Sequence, residues 1–305
     1  MNSSAHAGAI TCWSSGQQAA MEKLLQISTT FFDRHWYIPA AVSLRPRFDS
    51  LVAGPSGSGK SELVRIVSRV IGVPVLRLSY AEWIVAGAKE TPHTMERVHS
   101  FLTANERGII QVDELDKFRS ASTSDWSLAV LLELFHLLDR SLHQPLRQIE
   151  WTDDLRDRLA KSFLIIGTGT WQAIWTDFER PALGFRAGGP MGASTIQREI
   201  SKRGIIPTEL LRRFRSQLIL LPPPEESDYR RAAEKFGLVE LATQVGAQLD
   251  YTSALEQGLG GRWLEETFAD LLCLARQKGI STDFGQTELF GEDEWVDDDI
   301  TDSLL

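Results

Sequence analysis

The sequence predicts an α/β fold in which a parallel sheet with crossover helices is followed by a small all-helical domain. Short apolar runs alternate with helical stretches through the first two thirds of the chain, which is the pattern of strands joined by crossover helices. Three consecutive prolines at 222–224 then end this pattern, because they can continue neither a strand nor a helix. The stretches beyond the prolines are helical in period, so the chain divides at this joint.

The predicted elements follow the hydrophobic pattern in chain order. Apolar runs predict strands at residues 51–53, 73–78, 109–112, 163–166 and 217–221. Helices are predicted at residues 62–71, 91–105, 128–142, 225–236, 238–249 and 262–277. The resulting domains are an amino-terminal extension at 1–34, a large α/β domain at 35–222, a small helical lid domain at 223–285 and an acidic-hydrophobic tail at 286–305.

The composition indicates a soluble protein with well-filled cores. The chain has 305 residues, 43% of them hydrophobic, which suffices for one large and one small domain. No apolar run approaches the roughly 20 residues that a membrane span needs, and the amino terminus lacks a signal pattern. Cys12 and Cys273 are far apart in sequence, without metal-ligand spacing. We therefore expect a cytoplasmic protein with reduced thiols and no membrane partner.

The negative charge is concentrated at the carboxyl terminus. Eight acidic residues and no Lys or Arg lie between 286 and 305, so the net charge of −9 leaves the first 285 residues at −1. A nearly neutral body disfavours a surface built mainly for nucleic-acid phosphates, although a local basic groove stays possible. The tail also contains apolar residues, and it either docks in a partner groove or only adds solubility.

A phosphate-binding loop is predicted directly after the first strand. The residues read Gly54-Pro55-Ser56-Gly57-Ser58-Gly59-Lys60-Ser61, and Glu62 begins the following helix. Glycines let backbone N–H groups close around phosphates, the Lys60 amine reaches the β and γ oxygens, and the Ser61 hydroxyl is a ligand for Mg²⁺. A chance glycine-rich turn is the alternative, and the strand–loop–helix context disfavours it. The sequence predicts that ATP and Mg²⁺ are cofactors.

Two carboxylates are predicted at the end of a buried strand downstream. The run at 108–112 is followed by Asp113 and Glu114. Ligands of parallel sheets bind at the carboxyl ends of the strands, so this pair should lie beside the phosphate loop. There Asp113 would hold Mg²⁺ through water, and Glu114 would orient and deprotonate the attacking water. Taken alone, such a pair is more often a solvated strand end. Behind a phosphate loop, it predicts hydrolysis.

The order of motifs resembles the AAA+ ATPases, and among them the ClpX branch of hexameric protein unfoldases. The resemblance covers roughly residues 35 to 280 and depends on the stretches at 54–61, 112–117, 204–214 and 260–262. It implies a P-loop AAA+ large domain with a helical lid, a homo-hexamer and a protein substrate. The amino-terminal zinc-binding domain of those unfoldases is absent from residues 1–34, which hold one cysteine.

The same resemblance implies roles for several polar residues. Arg213 resembles the arginine finger that reaches the nucleotide of a neighbouring subunit, with Arg212 as a near substitute. Arg262 resembles the sensor-2 arginine of the lid, and Thr168 the sensor-1 residue that positions water, with Thr170 competing for that role. A guanidinium is always charged and suits the charge that spreads over a transferred phosphoryl group. The alternative for the arginines is a solvated helix end.

Three loops correspond to contact points of those unfoldases. Trp83, Ile84 and Val85 would form a substrate-gripping pore loop, although an aromatic here is as readily a core residue and the spacing to Gly87 departs from the family pattern. The segment at 119–122 resembles a second pore loop, with an ordinary polar loop as the alternative. The tripeptide at 183–185, Leu-Gly-Phe, resembles a loop that docks on a partner peptidase.

Two functions fit these features. The first is an ATPase that unfolds, disassembles or remodels a protein substrate. The alternative is a regulatory ATPase that controls a nucleic-acid-associated assembly, as in transposition or phage defence. A catalytically idle scaffold is disfavoured, because the lysine, both carboxylates and the arginines are present. The near-neutral body favours the first function, and binding of nucleic acid with steep salt dependence would favour the second.

Overall fold

The structure, a computed structural model, describes residues 12–33, 46–88, 93–118, 125–142, 149–179, 192–203, 206–215 and 218–280. Within these ranges the chain forms a parallel sheet covered by helices, followed by a helical region at residues 226–277 that is called the lid below. The predicted fold class is confirmed. The segments at 119–122 and 183–185 and the tail at 286–305, for which contact roles were predicted, lie outside the described residues.

The sheet has five parallel strands in the order β2-β3-β4-β1-β5. The strands are β1 Ser50–Ala53, β2 Val75–Ser79, β3 Gly108–Asp113, β4 Phe163–Gly169 and β5 Ile219–Leu220. Every residue of β1, β3 and β4 is buried. This explains why their sequences are apolar runs without alternation, since helices cover both faces of a parallel sheet. The carboxyl ends of β1, β3 and β4 therefore lie side by side at one edge.

Helices account for most of the remaining described residues. In chain order they are α1 Ser15–Phe32, α2 Lys60–Ile71, α3 Tyr80–Ala88, α4 Thr94–Ala104, α5 Asp125–Leu138, α6 Asp153–Ser162, α7 Gln172–Glu179, α8 Ala193–Lys202, α9 Thr208–Leu211, α10 Glu226–Lys235, α11 Leu238–Val245, α12 Tyr251–Gln257 and α13 Arg262–Gln277. A single 3₁₀ turn, Leu115–Lys117, follows β3. The α13 bounds equal the predicted ones, whereas the other predicted elements shift by one to four residues at their ends.

Apolar side chains form a core on each side of the sheet and a third one in the lid domain. One face of the sheet packs against α1 and α2 through Val52, Leu63 and Ile109, among others. The opposite face packs against α3 to α9. The lid core is built on Tyr229 and Trp263, whose rings meet edge to face with centroids 5.3 Å apart. The core residues include those of the predicted strands, and also side chains of helices that the hydrophobic pattern did not predict, such as Leu24 of α1, Trp83 of α3 and Leu159 of α6.

Helix α1 packs against the sheet, although the sequence division places it in an amino-terminal extension. Its buried side chains, among them Leu24 and Phe31, join the core of α2 and β5. The helix begins with Ser14, whose hydroxyl accepts a hydrogen bond from the Gln17 backbone N–H at 3.1 Å. Directly before it, the Trp13 ring lies 5.5 Å from the Tyr229 ring of the lid. Residues 12–32 therefore contact both the sheet and the lid.

Candidate nucleotide-hydrolysis site

The predicted phosphate loop lies between β1 and α2 at the carboxyl edge of the sheet. Gly57 and Gly59 have φ values of 73° and 84°, the left-handed region that glycine adopts at little cost. A Cβ atom at Gly57 would lie 2.2 Å from the Leu259 carbonyl oxygen of the lid. Glycine is therefore required at this position by the backbone angle and by the close approach of the lid.

Lys60 begins α2 and is enclosed by the loop. Its Nζ donates hydrogen bonds to the carbonyl oxygens of Gly54 at 2.9 Å and Pro55 at 2.7 Å. Burial lowers the pKa of Lys60 to about 8, against opposing effects of Asp113 and Asp116. The amine is thus held inside the loop by backbone oxygens, where a polyphosphate would favour its charged form.

Asp113 ends β3, and both of its carboxylate oxygens accept hydrogen bonds. Oδ1 accepts from the Thr168 hydroxyl at 2.5 Å and from the Glu114 backbone N–H at 2.9 Å. Oδ2 accepts from the Ser61 hydroxyl at 3.0 Å and from Arg77. Burial acts to raise the pKa of Asp113, but the hydrogen bonds and the Arg77 charge together bring it below its usual value. The side chain is therefore an oriented anion.

Glu114 follows Asp113 in a strained backbone conformation. Its φ of 59° is in the left-handed region, which is uncommon for a residue other than glycine and occurs often at functional sites. The Glu114 carboxylate pairs with the Lys117 amine across the 3₁₀ turn and keeps part of its surface exposed. In this arrangement the carboxylate is accessible to water at the edge of the sheet, beside the phosphate loop.

The two candidate threonines at the end of β4 have different surroundings. Thr168 is fully buried, and its hydroxyl is committed to Asp113; Gln111 approaches the same hydroxyl at 3.5 Å. Thr170 lies just beyond the strand, and its backbone N–H donates to Asp116 at 2.9 Å. Thr168 is therefore suited to orienting Asp113, whereas Thr170 is the more accessible of the two.

The two candidate finger arginines also differ. Arg213 makes a bidentate ion pair with Asp139, with Nε–Oδ1 at 2.7 Å and Nη2–Oδ2 at 2.6 Å, and lies over the Phe135 ring at 4.3 Å. Its Nη1 also donates to the Glu209 carbonyl oxygen. Arg212, one residue earlier, is exposed. Arg213 is thus bonded within its own chain, and the Arg212 side chain points to solvent.

The lid domain contacts the phosphate loop through its backbone. The Gly261 N–H donates to the Gly57 carbonyl oxygen at 2.8 Å, and the Gly260 N–H donates to the Tyr229 hydroxyl at 3.0 Å. Arg262, the first residue of α13, lies close enough to Lys60 for its charge to lower the pKa of that amine. The predicted lid arginine is therefore brought to the phosphate loop.

Ser61 and Asp113 fit the requirements of Mg²⁺. Their hydroxyl and carboxylate oxygens meet at 3.0 Å, and both are hard oxygen ligands. In the described part of the chain, no group of three or more His, Cys, Asp or Glu side chains forms a metal cluster. This donor set suits Mg²⁺, which is bound by one or two protein oxygens and takes the remainder from water and substrate phosphates.

The prediction of a pore loop at residues 83–85 is wrong in its secondary structure. Trp83, Ile84 and Val85 lie on helix α3, and Trp83 is 0% exposed. The Trp83 Nε1–H donates to Glu133 Oε2 at 2.7 Å, and its ring packs edge to face on Phe118. Trp83 is therefore a core residue, the alternative that its aromatic character had left open. Val85, 48% exposed, has a solvent-facing side chain.

Sequence reasoning missed two partners of the carboxylate pair. Arg77 on β2 bonds to Asp113, and Lys117 on the 3₁₀ turn pairs with Glu114. The spacing of Lys117, three residues after Glu114, is a local signal that could have indicated this pair. For Arg77 the only signal is its position on a strand beside β3, which becomes informative once the register is known.

Comparison with known proteins agrees with this geometry. Residues 50–175 match the ATPase family associated with various cellular activities (AAA), a range that includes the phosphate loop, Asp113, Glu114 and β4. The chain therefore contains an AAA ATPase domain and is an ATP-hydrolysing P-loop enzyme.

One curated relative is a ClpX protein. The chain is 27% identical over 252 residues to the ATP-dependent Clp protease ATP-binding subunit ClpX 2 of Wolinella succinogenes. The match covers 77% of this chain and 60% of that relative, so the chain spans less than two thirds of the relative's length. The chain thus contains an AAA ATPase domain and, over most of its length, resembles this ClpX protein. None of its described helices is long and apolar enough to cross a membrane.

Proposed function

We propose that this protein uses Mg²⁺-dependent ATP hydrolysis to unfold, disassemble or remodel a protein substrate as a homo-hexameric ring. The observation that carries the proposal is the contact between the hydrolysis site and the lid. Gly57 of the phosphate loop accepts a hydrogen bond from Gly261 of the lid, one residue before Arg262. A phosphate loop that touches the lid gives nucleotide turnover a direct mechanical connection to a second domain.

The side chains of the site have separable roles in this proposal. Lys60 and the loop N–H groups bind the β- and γ-phosphates of ATP. Ser61 and Asp113 would hold Mg²⁺, which neutralises charge that develops on the phosphoryl oxygens. Glu114, after leaving Lys117, orients the attacking water and accepts its proton. Thr168 keeps Asp113 oriented, and Arg262 would add positive charge from the lid.

Hydrolysis would then change the lid contact. When Arg262 binds a terminal phosphate, the lid is drawn towards the phosphate loop by a charge-assisted interaction. Loss of that phosphate removes the interaction and leaves the backbone contact between Gly57 and Gly261. The difference in free energy between these two states is what can be transmitted to a bound substrate.

Completion of the site requires an arginine from a neighbouring subunit in this proposal. The resemblance to unfoldases favours Arg213, whereas exposure favours Arg212, because Arg213 must first release Asp139 to reach outward. An arginine supplied in trans makes ATPase activity depend on assembly. Both arginines lie in the turn that directly follows α9.

Mixed assemblies test this requirement. Subunits with Arg212→Ala or Arg213→Ala, inactive alone, should regain part of their ATPase activity when mixed with inactive Glu114→Gln subunits, because some interfaces then combine both intact groups. Mixing Lys60→Ala with Glu114→Gln is the control and should restore nothing, since every site keeps one defect. Full activity of the unmodified chain as a demonstrated monomer would contradict the ring.

A protein substrate is favoured over a nucleic-acid assembly by two observations. The body outside the acidic tail has a net charge of only −1, and the relative is named as a subunit of an ATP-dependent protease. A partner peptidase, docked through residues 183–185 or the tail, extends the proposal. The alternative is a regulatory ATPase on a nucleic-acid-associated assembly, which would bind nucleic acid with affinity that falls steeply with salt.

A hydrolysis-deficient variant separates the two functions. Glu114→Gln should bind ATP and retain its substrate, so the molecules purified with it can be identified by mass spectrometry. Proteins retained with ATP and released with ADP support remodelling of a protein substrate. Nucleic acid retained in the same nucleotide-dependent way supports the alternative, and the Lys60→Ala variant serves as the control for non-specific retention.

A further inference from the structure

Arg77 is a charged residue of β2 that belongs to neither the phosphate loop nor the lid, yet it contacts Asp113. In the parallel register of β2 and β3, Arg77 lies beside Gln111 and Ser79 beside Asp113. Side chains alternate along a strand, so Arg77 extends from the same face of the sheet as Asp113. Strand β2 is at the edge of the sheet, and the Arg77 side chain is 59% exposed.

The Arg77 guanidinium bonds to a single oxygen of Asp113. Its Nη2 and Nε lie 2.8 Å and 3.2 Å from Asp113 Oδ2. The same oxygen accepts the Ser61 hydroxyl at 3.0 Å. Arg77 therefore occupies the point where the two candidate ligands of Mg²⁺ meet, while the other oxygen, Oδ1, is engaged by Thr168 and by the Glu114 backbone.

A guanidinium and a divalent cation compete for this point. Both are positive, and charges a few ångströms apart repel strongly wherever burial limits screening by water. The Asp113 carboxylate is almost fully buried, so it needs a positive or hydrogen-bonding partner whenever the metal is absent. The exposed part of the Arg77 side chain leaves it room to turn towards solvent, while Arg97 bonds to the Arg77 backbone oxygen at 3.2 Å and keeps the strand in place.

We propose that Arg77 is a counter-ion that holds the metal position of the site and is displaced from Asp113 Oδ2 when a divalent cation binds with the nucleotide. Arg77 is thus a positioning residue that acts through Asp113. It raises the concentration of metal needed to load the site, and its return to Asp113 assists the departure of the metal with the product. The inference rests on the proposed magnesium site.

Binding of Mn²⁺ in the presence of ADP tests this role without turnover. The free Mn²⁺ signal in electron paramagnetic resonance, corrected by a titration of Mn²⁺ with ADP alone, gives the half-saturating metal concentration for each variant. Arg77→Ala should lower that concentration about two- to fivefold, the range that an exposed ion pair supports. Arg77→Lys keeps the positive charge but cannot make both hydrogen bonds to Oδ2, so its half-saturating metal concentration should be intermediate.

Arg65→Ala is the matched control. It removes one positive charge from the adjacent helix α2, where Arg65 pairs with Glu62 rather than with Asp113, and it should leave the Mn²⁺ requirement unchanged. An unchanged or raised requirement in both Arg77→Ala and Arg77→Lys would overturn the counter-ion role. Weaker ADP binding by Arg77→Ala without metal would also overturn it, since Arg77 would then be a phosphate ligand. Failure of the unmodified chain to bind Mn²⁺ with ADP would instead overturn the magnesium site itself.

Discussion

The phosphate-loop edge and residues 83–85, which lie on helix α3, both have a function predicted from the sequence, and they differ in their structural surroundings. At the phosphate loop, Lys60, Ser61 and Asp113 lie within hydrogen-bonding range of one another or of the loop backbone. On α3, Trp83 is withdrawn from solvent and bonded to Glu133. The phosphate loop can be recognised from local sequence, because binding phosphate requires particular residue types at particular positions. The role of an aromatic side chain depends on the elements that pack around it, which local sequence does not show.

Replacement of Trp83 tests the α3 side of this comparison and has the largest expected effect. Trp83→Ala removes a fully buried ring and leaves Glu133 without its indole donor, so the free energy of unfolding should fall by roughly 3–5 kcal/mol. Chemical denaturation measures the loss. A variant that keeps normal stability and ATPase activity but loses substrate remodelling would contradict the core role and show that Trp83 contacts substrate.

Val85→Ala is the control on the same helix. The Val85 side chain is exposed, so its truncation should change the free energy of unfolding by less than about 0.5 kcal/mol. If Val85 instead contacts substrate in the assembled protein, the variant keeps its stability and basal ATPase activity while remodelling declines. The pair of variants therefore separates a packing role from a contact role along one helix.

Replacement of Lys60 tests the predicted role of the phosphate loop. Lys60→Ala removes a charged donor to the β- and γ-phosphates, and nucleotide affinity should fall roughly a hundredfold or more, beyond detection in a fluorescent-nucleotide titration. Lys161→Ala, an exposed lysine on α6 that pairs with Asp157, should bind nucleotide normally. Retention of near-normal affinity by Lys60→Ala would show that the loop binds phosphates through its backbone alone.

The lowered pKa of Lys60 gives a smaller, pH-dependent effect. Burial lowers the pKa of Lys60 from the usual 10.5 to about 8, so the amine loses its charge as the pH rises through 8. The ammonium is the form that binds phosphate, so nucleotide affinity should be constant well below pH 8 and about tenfold weaker at pH 9. Isothermal titration across this range measures the change. An affinity independent of pH up to 9 would mean that Lys60 stays fully charged.

The sequence was sufficient for elements that local pattern determines and insufficient for those that tertiary packing determines. The strands β1, β3 and β4 are continuous apolar runs, and the loop glycines follow ligand chemistry, so both were predicted. Helix α3 lacks a clear polar face and was assigned to a loop. The bond between Arg77 and Asp113 depends on the pairing of β2 with β3. The contact between Gly57 and Gly261 depends on the packing of the lid against the loop. Local sequence pattern determines neither of these.

Turnover of the Glu114→Gln variant tests the central claim, that this edge of the sheet hydrolyses ATP, most directly. The amide keeps the size of the side chain but cannot accept the proton of the attacking water, so ATP should bind normally and turnover should fall by about 10²- to 10⁴-fold. Glu106→Gln makes the same chemical change at an exposed position before β3 and should hydrolyse ATP at the normal rate. Near-normal turnover by Glu114→Gln, with the Glu106→Gln control also active, would contradict the assignment of the catalytic carboxylate.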